Sequence, residues 1–427
     1  MTLSWFQIVR LGVVQMALGA IVVLTTSTLN RLMVVEFALP AVLPGLLVAL
    51  HYGIQLSRPR WGFTSDTGGN RTLWIIGGMA ALALGGFTAA YAVTLFTASY
   101  WSGLLLSIFA YALIGIGVGA SGTSLLALLA TATAPHRRAA AATITWLMMI
   151  FGIAMTAGLA GSFLDPYTPA RLLTVVATVV AIAMVLTLLA VAGIERRVTA
   201  TREPDPTPFM EGLSEVWAER RTRDFTLFVF LSMNAYFMQE LILEPFAGLV
   251  WGFTPGQSTS LSGAQNGGVF VGMLTVGIMA TGLKIGSLRN WILGGCFGSA
   301  LSLVAIAWGG LALPAVGLTT LVVALGFFNG MFAVSAIGSM MALAAEGRGR
   351  REGTRMGLWG AAQAIAAGFG GLLGAAAVDL LRGPLADAPA FAVVFSIEAA
   401  LFIAAAAMAL HIMENTRSTR AALVPGE

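Results

Sequence analysis

Residues 49–71 read ALHYGIQLSRPRWGFTSDTGGNR. They contain a boundary between an apolar segment and a polar loop, and this pattern determines the fold. An apolar segment that carries His51 gives way to a polar loop with three arginines. Within this loop the glycines allow a tight turn, and Asp66 can cap the helix that follows. The stretch therefore predicts two membrane helices joined by a short basic loop.

The same alternation of apolar segments and short polar loops continues along all 427 residues. Hydrophobic residues make up 58% of the chain and charged residues 10%, whereas soluble domains carry about 25% charged residues. Apolar stretches of about 20 residues are long enough to cross a bilayer. We predict an all-α membrane protein with twelve transmembrane helices, at about 9–30, 39–57, 72–97, 102–132, 140–164, 170–194, 224–247, 262–283, 290–310, 314–343, 355–378 and 389–412.

Basic residues are distributed unevenly between the two sides of this predicted bundle. With the N-terminus inside, 20 of the 23 lysines and arginines fall in inside segments, and only Arg31, Arg171 and Arg382 fall outside. Because basic residues mark cytoplasmic loops, both termini are predicted to be cytoplasmic. The formal net charge of +4 belongs to these loops and does not indicate a nucleic-acid partner. The single cysteine, Cys296, excludes a disulfide within the chain.

The longest polar segment, 195–222, separates six predicted spans from six. Its PDPTP sequence at 204–208 cannot be helical, because proline fixes φ and lacks an N–H donor. Apolar residues then recur at helical spacing over 209–221, which favours a helix lying on the membrane surface, although a solvated linker also fits. We predict a six-helix half at 1–194, a cytoplasmic linker at 195–222, a second six-helix half at 223–412 and a short tail at 413–427.

The two halves match each other at a constant offset of 213 residues. The matched pairs are Arg10 with Arg223, Arg71 with Lys284, Arg137 and Arg138 with Arg350 and Arg351, Trp146 with Trp359, and Gly158, Leu159 and Gly161 with Gly371, Leu372 and Gly374. A six-helix unit duplicated in parallel is the layout of the major facilitator superfamily, whose substrate sites lie near the midplane between the halves. The repeat therefore predicts a major facilitator fold.

The loop that begins at Gly62 also resembles the superfamily's loop motif between spans 2 and 3. Gly62, Asp66 and Arg71 follow its glycine–aspartate–basic pattern, although Thr67 replaces a basic residue and the second glycine is displaced. An aspartate that caps a helix or pairs with an arginine can stabilise one of two access states. We predict that Gly62, Asp66 and Arg71 form a gating hinge.

Longer stretches resemble the bacteriochlorophyll-delivery family, which includes the PucC-like and LhaA-like proteins of phototrophic bacteria. The resemblance is carried by residues 26–40, 50–66, 128–149, 241–253 and 351–371. Its most distinctive parts are Asn30-Arg31 with Glu36, and the run from Trp359 to Gln363. The resemblance implies an inner-membrane assembly factor that binds bacteriochlorophyll, as cargo or ligand, and delivers it to light-harvesting antenna polypeptides or the reaction-centre complex.

His51 and Gln55 are predicted to lie on one face of span 2, because residues four apart are neighbours on a helix. Three interpretations of His51 stay open. It can be the axial ligand of a chlorin magnesium, a histidine hydrogen-bonded to a neighbouring helix, or part of a proton relay. No other metal ligand is expected.

Asn30, Arg31 and Glu36 are predicted at the outer end of span 1 or in the short loop after it. They form either a local Arg31–Glu36 ion pair or a polar site for a pigment carbonyl or a partner protein. Trp146 and Trp359 fall just inside symmetric spans, where they either line a flat chlorin or serve packing. With Gln363, they complete the predicted pigment site.

Three carboxylates inside the predicted spans are candidates for gating or proton transfer, because buried charges in lipid are costly and usually functional. Glu240 and Glu244 are one turn apart in span 7, and Glu398 lies near the middle of span 12. An ion pair between the halves, joining Arg31 to Glu240 or Glu244, would form an outer gate. The alternatives are that the span 7 pair reaches outer water and that Glu398 is a neutral structural carboxyl.

The sequence contains no G-x-x-x-x-G-K-[ST] loop, no clustered Cys/His metal site and no evident nucleophile–base pair. It therefore predicts that the chain is not an enzyme and is not driven by ATP. Two other functions fit the same fold, since fold does not fix function. One is a proton-coupled secondary transporter of a small solute, and the other is a pigment-free scaffold for antenna helices.

Overall fold

A computed structural model describes residues 2–57, 71–134, 137–194, 217–312, 317–346 and 352–422. Twelve long helices form within these ranges. They are α1 Trp5–Glu36, α2 Val42–Gln55, α3 Arg71–Leu95, α4 Tyr100–Ala132, α5 Arg138–Leu164, α6 Pro169–Val191, α7 Arg220–Leu249, α8 Pro255–Val276 with its continuation Gly277–Gly282, α9 Leu288–Ala312, α10 Leu318–Glu346, α11 Glu352–Arg382 and α12 Asp387–Ala422.

Ten of the twelve helices in the described ranges are long and apolar enough to cross a membrane. The exceptions are α2, which has 14 residues, and α8. Helix α8 is polar for a span because hydroxyl and amide side chains crowd its first turns, at Gln257, Ser258, Thr259, Ser260 and Ser262. The predicted all-helical fold is confirmed, and ten of its twelve predicted spans meet this criterion.

Helix α1 is longer than the sequence predicts, because it continues through Arg31 to Glu36. Two segments of it, Leu24–Thr28 and Leu32–Glu36, are π-helical. Such wider turns are rare and are frequently found at functional sites. Arg31 and Glu36 lie within α1 and not in a loop after it. The predicted span ended at residue 30 because the residues that follow it include these two charged side chains.

Other predicted features differ in extent or lie outside the described residues. Helix α8 begins at Pro255 instead of near residue 262, and α12 continues into the predicted tail. Gly62 and Asp66 of the predicted hinge are outside the described ranges. So is most of the predicted linker, 195–222, including residues 209–216 of its surface helix.

Each half has its own apolar core, and the halves pack mainly along two helix pairs. Tyr111 and Ile114 are buried in the first core, and Phe332 and Phe402 in the second. Between the halves, α5 packs against α8, and α11 packs against α2. Because α5 corresponds to α11 in the repeat, and α2 to α8, the two contacts are related by the pseudo-symmetry.

One end of the bundle carries most of the polar contacts between the halves. Helices α1, α5, α7 and α11 end there, and α2 and α8 begin there. We call this end the Arg31 face. The charge distribution predicts that it is the outer side of the membrane.

Candidate functional site between the two halves

A buried cluster of hydroxyl and carboxyl groups joins α1 to α7 and α8. The Ser27 hydroxyl donates a hydrogen bond to Oε1 of Glu244 and lies 2.7 Å from the Ser262 hydroxyl. Beside this contact, the hydroxyls of Thr28 and Thr259 are 3.1 Å apart. Glu244 is only 2% exposed, and its Oε2 has no hydrogen-bond partner among the described residues. The cluster is thus a polar contact between the halves inside the membrane-spanning region.

The backbone of α1 is shaped to support this cluster. Ser27 lies in the π-helical segment Leu24–Thr28, where the wider turn displaces carbonyls from their usual partners. The buried Tyr111 hydroxyl, from α4, donates to the Thr25 carbonyl at 2.7 Å. Thr25 and Thr26 in turn donate to the Val22 carbonyl. Contacts within the N-terminal half therefore hold the backbone beside Ser27 in place.

The predicted ion pair between Arg31 and Glu240 or Glu244 does not form. Arg31 pairs with Glu36, five residues later on the same helix, which is the local ion pair predicted as the alternative. Its second guanidinium nitrogen donates to the Phe253 carbonyl at 2.7 Å, and this contact crosses to the C-terminal half. The π-helical turn at Leu32–Glu36 brings Glu36 close enough to satisfy the arginine locally. Arg31 thus joins the halves through a backbone carbonyl and not through a carboxylate.

Tyr167, in the loop after α5, faces the Arg31–Glu36 pair. Burial raises the pKa of its phenol, the Glu36 carboxylate raises it further, and Arg31 lowers it. The phenol therefore stays protonated at neutral pH. Its hydroxyl is buried and has no hydrogen-bond partner among the described residues, so it is a free donor beside the Arg31–Glu36 pair.

The other predicted polar residues occupy separate places. Asn30 is fully buried and donates to the Leu241 carbonyl of α7 at 2.8 Å, another contact between the halves. Glu240 is within hydrogen-bonding reach of Thr26. Glu398 is fully buried, and neither of its oxygens has a hydrogen-bond partner among the described residues. Arg71 donates to the Thr131 hydroxyl and holds the start of α3 against α4.

His51 and Gln55 share a face of α2, as their spacing predicts. The His51 Nε2 atom lies 2.7 Å from the Gln55 amide nitrogen, and the imidazole packs against the Tyr52 ring with centroids 4.6 Å apart. The histidine is 2% exposed. A magnesium ligand needs a ring nitrogen that faces open space, so His51 does not fit axial ligation in this conformation. The geometry favours a hydrogen-bonded histidine.

The two repeat-related tryptophans have different surroundings, and the structure does not bring them together. Trp359 is fully buried in the core of the C-terminal half, where its ring packs edge-on against Phe225 at 5.0 Å. Gln363, one turn further along α11, is half-buried. Trp146 is half-buried on α5 and lines an apolar cavity of about 220 Å³ between the halves.

This cavity is lined almost entirely by apolar groups from α5, α8 and α10, including Leu147, Met273 and Val334. Its rim residues Gly277 and Ile278 are exposed on the side of the bundle that faces lipid. Trp146 lies about 27 Å from the end of α5 at Leu164, at about 1.5 Å per residue. The cavity therefore lies toward the end of the bundle opposite the Arg31 face.

Ser27 and Ser262 were not among the site residues predicted from the sequence. The sequence contains a partial indication of this site. A run of hydroxyl residues lies inside an otherwise apolar span, at Thr25, Thr26, Ser27 and Thr28. Serine and threonine commonly bond to their own helix backbone, so such a run does not by itself identify a contact with another helix. Only the packing of α7 and α8 against α1 selects Ser27.

The fold of the chain is similar to the folds of several membrane transporters of known structure. It is similar to a bacterial homologue of the human drug peptide transporters PepT1 and PepT2, with a TM-score of 0.71 and 14% sequence identity, over 97% of this chain and 99% of that chain. At this identity the likeness concerns the fold alone, and it confirms the predicted major facilitator architecture.

Two relatives are similar over almost the whole chain. One is the "Bacteriochlorophyll synthase 44.5 kDa chain" of Rhodobacter capsulatus, 66% identical over 421 residues, which cover 98% of each protein. The other is "Protein PucC" of Cereibacter sphaeroides, 28% identical over 454 residues, which cover 97% of this chain and 93% of that protein.

The prediction that the chain is not an enzyme is contradicted by the first relative, because that protein is named as a chain of a synthase.

The family model described as "PUCC protein" matches residues 28–417. This range includes the end of α1 from Thr28 onward, both helix pairs between the halves and most of α12. It therefore covers nearly all of the bundle. The chain belongs to the PUCC protein family.

Proposed function

We propose that the chain is a membrane component of bacteriochlorophyll handling, which binds the pigment and delivers it to light-harvesting antenna polypeptides or the reaction-centre complex. The observation that carries this proposal is the 66% identity, over 98% of both chains, with a protein named as a chain of a bacteriochlorophyll synthase. Membership of the PUCC family supports it. The location that follows is the inner membrane of a phototrophic bacterium, with both termini cytoplasmic.

The cavity beside Trp146 is the part of the structure that best suits such a ligand. Bacteriochlorophyll carries a long hydrocarbon chain on a flat macrocycle. A cavity of about 220 Å³ is too small for both parts together, but it can hold a segment of the chain. Its apolar lining and exposed rim at Ile278 allow entry from the lipid. We propose that the hydrocarbon chain of the pigment lies in this cavity and that Trp146 forms one wall of it.

Glu244 is proposed as the residue that controls contact between the halves in the membrane. Its carboxyl accepts a hydrogen bond from Ser27 and carries one oxygen without a partner among the described residues. A buried carboxyl of this kind is stable only when it is protonated or fully hydrogen-bonded. Loss or gain of a proton there would therefore change how firmly α1 is held against α7.

We expect Ile278→Trp to lower the amount of bacteriochlorophyll that co-purifies with the protein by at least about fivefold. The larger ring at the rim of the cavity blocks entry of the hydrocarbon chain, while Ile278 is exposed and its replacement leaves the core intact. The matched control is Val304→Trp, on the lipid-facing side of α9. Pigment is measured by absorption of protein purified in mild detergent. Wild-type protein that is colourless and takes up no added pigment would contradict the proposed function.

We expect His51→Ala to keep the far-red absorption band of the bound pigment unchanged in position and intensity. The reason is that His51 Nε2 is engaged by Gln55 and the ring is buried. The measurement is the absorption spectrum of the purified variant beside that of wild type. Loss of the band, in a variant that stays monodisperse, would restore His51 as the magnesium ligand.

A further inference from the structure

Helix α2 begins without a capping side chain of its own, and the other half of the protein supplies one. Its N-cap residue is Ala41, which makes no side-chain cap hydrogen bond. The Asp379 carboxylate, near the end of α11, accepts hydrogen bonds from the backbone N–H groups of Ala41 at 2.9 Å and Val42 at 2.7 Å. A carboxylate is favourable there because the first N–H groups of a helix are unpaired and carry partial positive charge.

A second aspartate makes the corresponding contact at the start of α8. Asp165 follows the last residue of α5, and its carboxylate accepts from the Thr254 hydroxyl at 2.6 Å and from the Gly256 N–H at 3.1 Å. Helix α8 also has a cap of its own, since Thr254 and Gln257 bond each other reciprocally. The second contact is thus an addition to an existing cap, whereas the first is the only side-chain cap of α2 among the residues that the structure describes.

The two contacts are copies of one arrangement. The offset of 213 residues carries Val42, the first residue of α2, onto Pro255, the first residue of α8. It carries Asp165 to within one residue of Asp379. In both copies a carboxylate at the end of one helix reaches the start of a helix in the opposite half, and both lie on the Arg31 face. We call Asp165 and Asp379 the paired aspartate caps.

We infer that the paired aspartate caps form a latch that holds the Arg31 face closed, and that the halves separate there only when both caps release. The contacts suit a reversible latch, because both aspartates are half-buried and water can replace their hydrogen bonds once the face opens. Release leaves α8 with its own cap and leaves the start of α2 uncapped. The contact of Asp379 with α2 therefore stabilises the closed Arg31 face more than the contact of Asp165 with α8 does. This inference does not depend on the identity of the cargo.

The test measures the opening of the Arg31 face directly. Spin labels are placed at Ala98→Cys and Ala386→Cys, which are exposed in loops of the two halves on this face, in a Cys296→Ala background. Distances are recorded by double electron–electron resonance in full-length protein. The variants are Asp165→Asn, Asp379→Asn and the double variant, all close in volume to the parent. Asp387→Asn is the matched control, since Asp387 bonds Arg382 within one half at 2.6 Å.

We expect the double variant to raise the fraction of molecules with a long distance between the two spin labels at least about tenfold over the parent. Asp379→Asn should raise this fraction more than Asp165→Asn, and Asp387→Asn should leave it unchanged. Charge-assisted hydrogen bonds of this kind are strong enough for such a shift. A double variant with the parent's distance distribution, or a control that opens as far, would overturn the latch. If the double variant is not monodisperse, the two single variants decide by the same comparison.

Discussion

Gly263→Ala is expected to lower the Tm of the purified protein by several degrees, although alanine is the better helix former. A Cβ at position 263 would lie 2.5 Å from the Gly158 backbone nitrogen and 3.0 Å from the Ala154 carbonyl oxygen. Both neighbours are backbone atoms, so neither can rotate away, and α5 and α8 would have to move apart. Overpacking of this kind costs about 1–3 kcal/mol.

The control for this prediction is Gly267→Ala, one turn further along the same helix. A Cβ there has no neighbour within 4 Å, so the substitution should keep the Tm or raise it slightly, by the helix propensity of alanine, about 1 kcal/mol. On α5 the same comparison uses Gly161→Ala, whose Cβ would meet the Gly256 carbonyl at 2.6 Å, and Gly158→Ala, whose Cβ is free. Equal Tm values for Gly263→Ala and Gly267→Ala would show that α5 and α8 are not in close contact.

Arg31→Met is expected to give the second large loss of stability, because it removes a buried cation that joins the halves. Methionine retains most of the side-chain volume but leaves the Phe253 carbonyl and the Glu36 carboxylate without their donor. A hydrogen bond from a charged group contributes about 1.5–3 kcal/mol. Glu36 is about a third exposed, so water replaces part of its loss, and most of the effect comes from the contact with Phe253.

Thermal unfolding followed by intrinsic fluorescence checks this expectation in mild detergent. The matched control is Arg382→Met, which removes a more exposed ion pair with Asp387 inside one half, and exposed pairs contribute about 0–1 kcal/mol. Glu36→Gln separates the two contacts of Arg31, since it keeps the donor to Phe253. A Tm for Arg31→Met no lower than that for Arg382→Met would exclude a structural role of this arginine between the halves.

The sequence determined the helices and their repeat, because both depend on local composition. Hydropathy locates a span without knowledge of its neighbours, and α3, α5 and α6 begin and end within a few residues of the predicted positions. The repeat predicted which helices are equivalent, and the structure places those equivalent helices at the contact between the halves. The spacing of His51 and Gln55 also predicted their contact, since four residues form one turn.

Only the tertiary structure decided which polar groups meet. Asp379 caps a helix 337 residues earlier in the chain, and Ser27 reaches Glu244 across 217 residues. The sequence left Arg31 with two possible partners, Glu36 on its own helix or a carboxylate of span 7, and the π-helical turns of α1 bring Glu36 to it. Such pairings depend on how the halves pack and on one extra residue in a helical turn. Hydropathy and residue spacing carry no information about either, and for this reason the sequence alone showed the bundle but not the contacts that close it.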